Sequence, residues 1–336
     1  MGTLNLDAAT YKDLLKHYIE TQDEQSLYGA EQITKSFIKN NFLPEEIVNL
    51  HIQALAELYP EIYVEMQHSM NFLLETMISY GLAHQEFESL RERQSELKSE
   101  ISVAAEMQKT LLATKKPDVD SLDIGVISVP ANQMSGDYHH FINGKDGSFG
   151  LALADVVGKG VPAALCMSMI KYSMDSFPKA SMSPKAILGN LNRVVERNVD
   201  PSIFITMFYA HYHPATSVLE YASAGHEPGF YYNAEEDMFS EIKTKGLVLG
   251  VSPEANYPQY EKVIETGDMV ILLTDGVTEC RKGDRFLETR EVLEIIRKFS
   301  DLPAQELVEQ VYKYFERLQN FQLRDDFTLI VLRKEV

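Results

Sequence analysis

The sequence of 336 residues predicts an α+β chain, all helical at first and then built of antiparallel sheets flanked by helices. Three observations carry that prediction. The first ~112 residues hold almost no glycine and space their apolar residues at helical intervals. A heptad pattern closes this helical part. Beyond residue 121, β-branched and aromatic runs alternate with glycine-marked turns, and amphipathic helices come in pairs.

The helical elements follow in order. Leu14, Leu15, Tyr18 and Ile19 make one apolar stripe, and Ile33, Phe37 and Ile38 make part of a second. Pro44-Glu45-Glu46 opens a third helix, because proline suits the first turn and acids suit the positive end of the dipole. Ile47, Leu50, Ala54, Leu55 and Leu58 carry it on to Pro60. A long helix is expected from about residue 62, with Gly81 its only breaker. Phe87, Leu90, Gln94, Leu97, Ile101, Ala104, Gln108 and Leu111 repeat alternately at three and four residues. That spacing predicts a coiled-coil seam, weakened by its two glutamines and suited to a homodimer. Pro117 and the polar run from Lys115 to Ser121 end the helix. The expected division is a helical domain over 1–82, a helical linker over 83–118 and a sheet-containing domain over 119–336.

In that last part, strands are predicted at 122–129, 149–154, 204–212, 218–223, 257–264, 269–274 and 327–332. Helices are predicted near 160–177, 184–198, 288–300 and 303–319. Short turns between successive strands make the sheets antiparallel, with the helices outside them.

Composition narrows the function. The 31 basic and 50 acidic side chains leave a formal charge of −19, which disfavours nucleic acid and anionic membranes as partners. Surplus carboxylates suit hard divalent cations. Cys166 and Cys280 are far apart, form no zinc motif, and fit a reducing cytoplasmic setting. Residues 1–10 lack a signal-peptide pattern, and no apolar run reaches the ~20 residues of a bilayer span.

Four aspartates each stand beside an apolar strand at a glycine-marked corner: Asp137, Asp155, Asp275 and Asp326. A carboxylate at the end of a buried strand is costly to desolvate unless it is paired or bound to a cation. Strand ends converge in space, so the four can form one cluster, held best by one or two metal ions. With all-oxygen ligands, that metal is Mg²⁺ or Mn²⁺.

The motifs carry a resemblance. Ser135-Gly136-Asp137, Ala154-Asp155-Val156-x-Gly158-Lys159-Gly160, Ala224-Gly225-His226, Thr274-Asp275-Gly276-Val277-Thr278-Glu279 and Asp325-Asp326-Phe327-Thr328 occur in this order. Together they resemble the metal-dependent protein phosphatase family (PPM, protein phosphatase 2C-like), in its SpoIIE branch. The match spans about 120–334, and the helical start, Tyr59-Pro60 included, also resembles branch members of the sigma-B stress pathway. The resemblance implies a β-sandwich of two antiparallel sheets flanked by helices, and a phosphoserine phosphatase with two divalent cations, Mn²⁺ or Mg²⁺. Asp155 would bridge the cations and the Val156 carbonyl would be a further ligand. Asp275 and Asp326 would hold one cation, and Asp137 would bind the second or orient water.

Two departures from the wider family stand out. Val157 occupies the place of a histidine that larger eukaryotic members carry, so the general acid is unassigned. No arginine near Asp137 matches their phosphate-binding arginine, and Lys159 reads better as a cap on the glycine turn. His226 reads equally as a residue that reaches the site and as a turn histidine satisfied by backbone, and Asp325 reads as a structural neighbour of Asp326. The resemblance further implies a phosphorylated anti-anti-sigma factor (a small STAS-domain protein) as substrate. It also implies a switch kinase that activates the enzyme by binding the helical domain. The alternative is a catalytically inactive scaffold of the same fold; a metal-dependent nuclease is opposed by the charge.

Overall fold

The computed structural model of the chain describes residues 2–39, 42–61, 64–144, 146–158, 160–177, 183–200, 202–282, 285–321 and 323–335. It divides into two compact units, Met1–Lys98 and Ser99–Val336.

The first unit is helical: α1 (Gly2–Thr21), α2 (Glu24–Lys39), α3 (Pro44–Leu58) and the first part of α4 (Val64–Leu112). Asp23 accepts the Ser26 backbone N–H at 3.2 Å and so caps α2. Pro44 opens α3 as its spacing predicts, and Glu46 accepts the Leu43 N–H at 2.8 Å. Phe37 and Ala54 are buried, and Tyr11 shares a 2.9 Å hydrogen bond with His51. The side chain of Ile38 lies outside the described residues.

α4 runs unbroken through Gly81, as expected of the long helix. Of its heptad positions, Phe87, Leu90, Leu97 and Ile101 are exposed. Gln108 is not: it is buried within the second unit.

The second unit holds two five-stranded antiparallel sheets. One has the order β1 (Leu122–Val129), β12 (Phe327–Lys334), β9 (Met269–Leu273), β6 (Gly229–Asn233), β7 (Met238–Ile242). The other has the order β2 (Asp137–Asn143), β3 (Phe149–Val156), β4 (Ile205–His213), β5 (Val218–Ala224), β8 (Tyr260–Val263). A short ribbon pairs β10 (Arg281–Lys282) with β11 (Arg285–Phe286). Helices α5 (Val161–Ser176), α6 (Pro184–Asn198), α7 (Asp275–Thr278), α8 (Thr289–Arg297) and α9 (Ala304–Leu318) complete it.

Strand alternation builds the layers. Leu151 and Leu153 of β3, Phe208 and Ala210 of β4, and Ile330 and Leu332 of β12 meet in a core between the sheets. The alternate residues Ala152, Ala154, Met207 and Tyr209 pack with Met167 and Ile170 of α5 and Leu188 and Leu191 of α6. On the other outer face, Ile271, Leu329 and Val331 pack with Val292 of α8 and Val308 and Val311 of α9. The result is the expected α+β sandwich, helices on both sides. Burial on both faces explains why β3, β4 and β12 are largely apolar. Of the described elements, β2, β6, β7, β10 and β11 are strands that the spacing did not predict.

Candidate active site

The four predicted aspartates come from four chain segments and meet at one end of the sandwich. Asp137 begins β2 and stands directly opposite Asp155, near the end of β3. Gly136 brings the two segments close: a Cβ there would lie 3.5 Å from Asp155 Oδ1 and 3.2 Å from the Val156 carbonyl oxygen. Asp326 precedes β12 and accepts the Ala131 N–H at 2.8 Å on Oδ1 and the Gly136 N–H at 2.6 Å on Oδ2. Asp275 opens α7, and Gly276 beside it packs directly on the Asp326 backbone carbonyl.

Two hydroxyls grip Asp137. Thr274 Oγ1 and Thr328 Oγ1 donate to its Oδ2 at 2.7 Å and 2.6 Å, and the Thr328 N–H donates to Thr274 Oγ1 at 3.1 Å. These threonines were missed in the sequence, although each neighbours a predicted aspartate, in Thr274-Asp275 and Asp326-Phe327-Thr328. Both hydrogen bonds fall on the same Asp137 oxygen. Replacing Thr328 with Val should lower turnover by about 10- to 100-fold, the usual cost of removing a group that orients a ligand. Steady-state kinetics against cation concentration would check it; an unchanged kcat would deny the hydroxyl its role.

The electrostatics are those of crowded acids. Burial first, then the nearby Asp155 and Asp326 charges, push the Asp137 carboxyl well above its ordinary value. Asp275 is pushed up to about 6, by burial and by Asp325, Glu279 and Glu227. Such a cluster is stable in ionised form only with positive charge among its oxygens. All-oxygen donors fit Mg²⁺ or Mn²⁺.

The loop after Asp155 is set by glycine. Gly158 and Gly160 have φ of 122° and 81°, conformations that side-chain-bearing residues avoid. They turn the chain from β3 into α5, whose first turn carries Pro162. Lys159, between them, lies outside the described residues. Val157 is half-exposed and offers no proton.

Behind the cluster, His226 is buried and shares a 2.9 Å hydrogen bond with Thr206, whose hydroxyl reaches the Asp155 carbonyl at 3.4 Å. Desolvation pushes His226 down to about 4. Between its ordinary 6.5 and that value, the unfolded chain takes up a proton that the folded chain refuses. Stability therefore falls as pH drops through this window. Thermal melts of wild type and His226→Gln between pH 7 and 4 should diverge, the variant losing less; parallel curves would refute this.

Gln108 closes the site from the helical side. Its side-chain amide donates to the Ser135 carbonyl at 2.8 Å and its carbonyl accepts the Ser135 N–H at 3.2 Å. A groove beside Asp137 is lined by Gln108, Leu112, Ser128, Pro130 and Ser135. The seam position is thus occupied by the loop that leads into Asp137.

The comparisons with known proteins agree with this fold. The family model "Stage II sporulation protein E (SpoIIE)" matches residues 145–335, and the model "Phosphoserine phosphatase RsbU, N-terminal domain" matches residues 9–83. Phosphoserine phosphatase RsbU of Bacillus subtilis is 52% identical over 326 residues, 97% of this chain and 97% of that protein. Among solved structures, the SiaA-PP2C domain of Pseudomonas aeruginosa superposes with TM-score 0.62 at 20% identity, over 73% of this chain and 98% of that one. The PP2C phosphatase domain of SpoIIE from Bacillus subtilis, with a fragment of its regulatory domain, gives TM-score 0.55 at 19% identity, over 64% and 63%. At these identities the two structures establish the fold.

Proposed function

The chain belongs to the SpoIIE family, as an RsbU-like serine phosphatase of the PP2C fold, and we propose that it is a metal-dependent enzyme acting on a phosphorylated RsbV-like anti-anti-sigma factor. The convergence of Asp137, Asp155, Asp275 and Asp326 is the observation that carries this reading.

Two divalent cations, Mn²⁺ or Mg²⁺, would supply charge for the phosphoryl oxygens and a water acidic enough to serve as nucleophile near neutral pH. Asp155 would serve both cations, and the Val156 carbonyl would be a further ligand. Asp275 and Asp326 would hold one side of the pair and Asp137 the other. Thr274 and Thr328 fix the Asp137 carboxylate, and the Ala131 and Gly136 amides fix that of Asp326. No side-chain nucleophile is required. Cys166 is buried in the apolar core under α5, and burial pushes the Cys280 thiol up to about 12. With Val157 in place of an acid, the leaving serine oxygen takes its proton from solvent.

The helical domain over 1–82 is the partner-binding and dimerisation part, and the linker over 83–118 connects it to the phosphatase domain over 119–336. Its activator is an RsbT-like switch kinase. The exposed Phe87, Leu90 and Leu97 supply the apolar seam of a homodimer. Release of the dephosphorylated RsbV-like protein then frees the stress sigma factor from its inhibitor, so the enzyme regulates that factor positively. A cytoplasmic location suits these partners. Among the described residues, no helix is long and apolar enough to cross a membrane.

The test is incubation of the full chain with Mn²⁺ and phosphorylated STAS-domain proteins, with and without the switch kinase. Phosphate release that needs both metal and kinase is the expected result. Release without metal would overturn the mechanism, and release indifferent to the kinase would overturn the proposed control.

A further inference from the structure

A second group of metal-ligating side chains lies away from the aspartates, on the same sheet. His211 and His213 are two apart on β4 and so share a face, and Glu220 of β5 stands directly opposite His211. Glu220 Oε2 is 3.5 Å from His213 Nε2 and 4.0 Å from His211 Nδ1, and the two imidazole centroids are 4.2 Å apart. One donor atom from each residue falls within 4.8 Å of the other two.

We propose that His211, His213 and Glu220 form a second cation site, selective for a late first-row divalent ion such as Zn²⁺.

The simpler reading is a hydrogen-bonded histidine–glutamate pair, and two observations speak against it. Neither His–Glu separation is a hydrogen bond by length. His211 is 8% exposed, and the nitrogen it turns toward Glu220 is Nδ1, at 4.0 Å. A tetrahedral Zn²⁺ with bonds of ~2.0–2.1 Å holds its donors ~3.3 Å apart. The three donors therefore need to close by about an ångström, within the reach of small side-chain rotations. Asp146, in the turn between β2 and β3, acts electrostatically on His211 and is fixed by the Ser148 N–H at 3.1 Å. It lies outside the three-residue group and would reach an ion there through water.

Chemistry separates this site from the aspartates. Two imidazole nitrogens and a carboxylate favour Zn²⁺, Co²⁺ or Ni²⁺, whereas all-oxygen clusters take Mg²⁺ or Mn²⁺. Distance separates them too. Asp155 pairs with Thr206, and His211 lies five residues further along β4, about 17 Å away at strand rise. An ion here ties the β4–β5 hairpin toward the β2–β3 turn and takes no part in phosphoryl transfer.

The test uses the full chain in excess Mg²⁺, which fills the oxygen site. Zn²⁺ is titrated against a chromophoric chelator, and Co²⁺ serves as an optical probe. Wild type should retain one Zn²⁺ per chain and gain thermal stability from it. His213→Ala and Glu220→Gln should each weaken Zn²⁺ binding at least tenfold and dim the Co²⁺ absorption, with Mg²⁺-supported turnover unchanged. His211 is buried, so the partly exposed His213 carries the test in a folded protein. Equal Zn²⁺ retention by wild type and His213→Ala would overturn the proposal, as would no retention in excess Mg²⁺. Retention lost in Asp155→Ala but kept in His213→Ala would place the ion at the aspartates and overturn it equally.

Discussion

Asp155→Asn should lower metal-dependent turnover by about 10³-fold or more while the protein stays folded. Asp155 lies near the end of β3, is partly exposed, and faces Asp137 across the strand pair. The substitution keeps shape and hydrogen-bonding capacity but removes the charge that both cations would share. Folding should not suffer, because Asp137 is held above its ordinary value in part by Asp155. Removing one of several like charges relieves repulsion when no cation is present. Two measurements decide the matter: turnover against Mn²⁺ concentration, and the rise in Tm that Mn²⁺ produces. Both should collapse together in the variant. A catalytically inactive scaffold would show no metal-dependent turnover even in wild type. Asp155→Asn protein that kept full turnover would remove Asp155 from the site.

Why the site could be foreseen, and its supports could not, is a matter of range. Each aspartate stands at the end of an apolar run beside a glycine or at a turn, and strand ends in a sandwich converge by geometry alone. The support of Asp137 comes from Thr274 and Thr328, 137 and 191 residues away in sequence, and no local pattern encodes such a partner. β2 was hidden for a related reason. Its Asp137-Tyr138-His139-His140 start reads as polar, yet Asp137 and His140 are buried, His140 against Asp175 of α5 at 3.0 Å. β6 and β7 carry tyrosines, acids and asparagine where apolar alternation was sought. The heptad count is the instructive case. It places Gln108 correctly on one helix face, but what covers that face is the Ser135 backbone. Periodicity reports which side chains share a face, and tertiary partners decide what the face meets. β3, β4, β9 and β12 could be read from the sequence because burial on both faces leaves little but apolar residues.

A pair of glycines separates damage to the site from damage to the fold. At Gly276, a Cβ would overlap the Asp326 carbonyl oxygen and sit 3.3 Å from that of Asp325. At Gly125, on β1, a Cβ would overlap the Ala304 carbonyl at the start of α9. Both clashes are with backbone, which cannot rotate aside, so each Gly→Ala change should cost about 1–3 kcal/mol or more. The consequences for function should differ. In Gly276→Ala, α7 must lift from β12 to admit the added methyl group, and that movement carries Asp275 away from Asp326. Gly125 pairs with Val331, five residues along β12 from Asp326, so the strain of Gly125→Ala stays in the layer between β1 and α9. Denaturant titration should show comparable destabilisation in the two variants. Mn²⁺ activation should then shift at least tenfold to higher concentration in Gly276→Ala and remain at the wild-type midpoint in Gly125→Ala. If both midpoints stay at the wild-type value, Asp275 binds no cation, and the cluster would reduce to the three carboxylates carried by β2, β3 and the approach to β12.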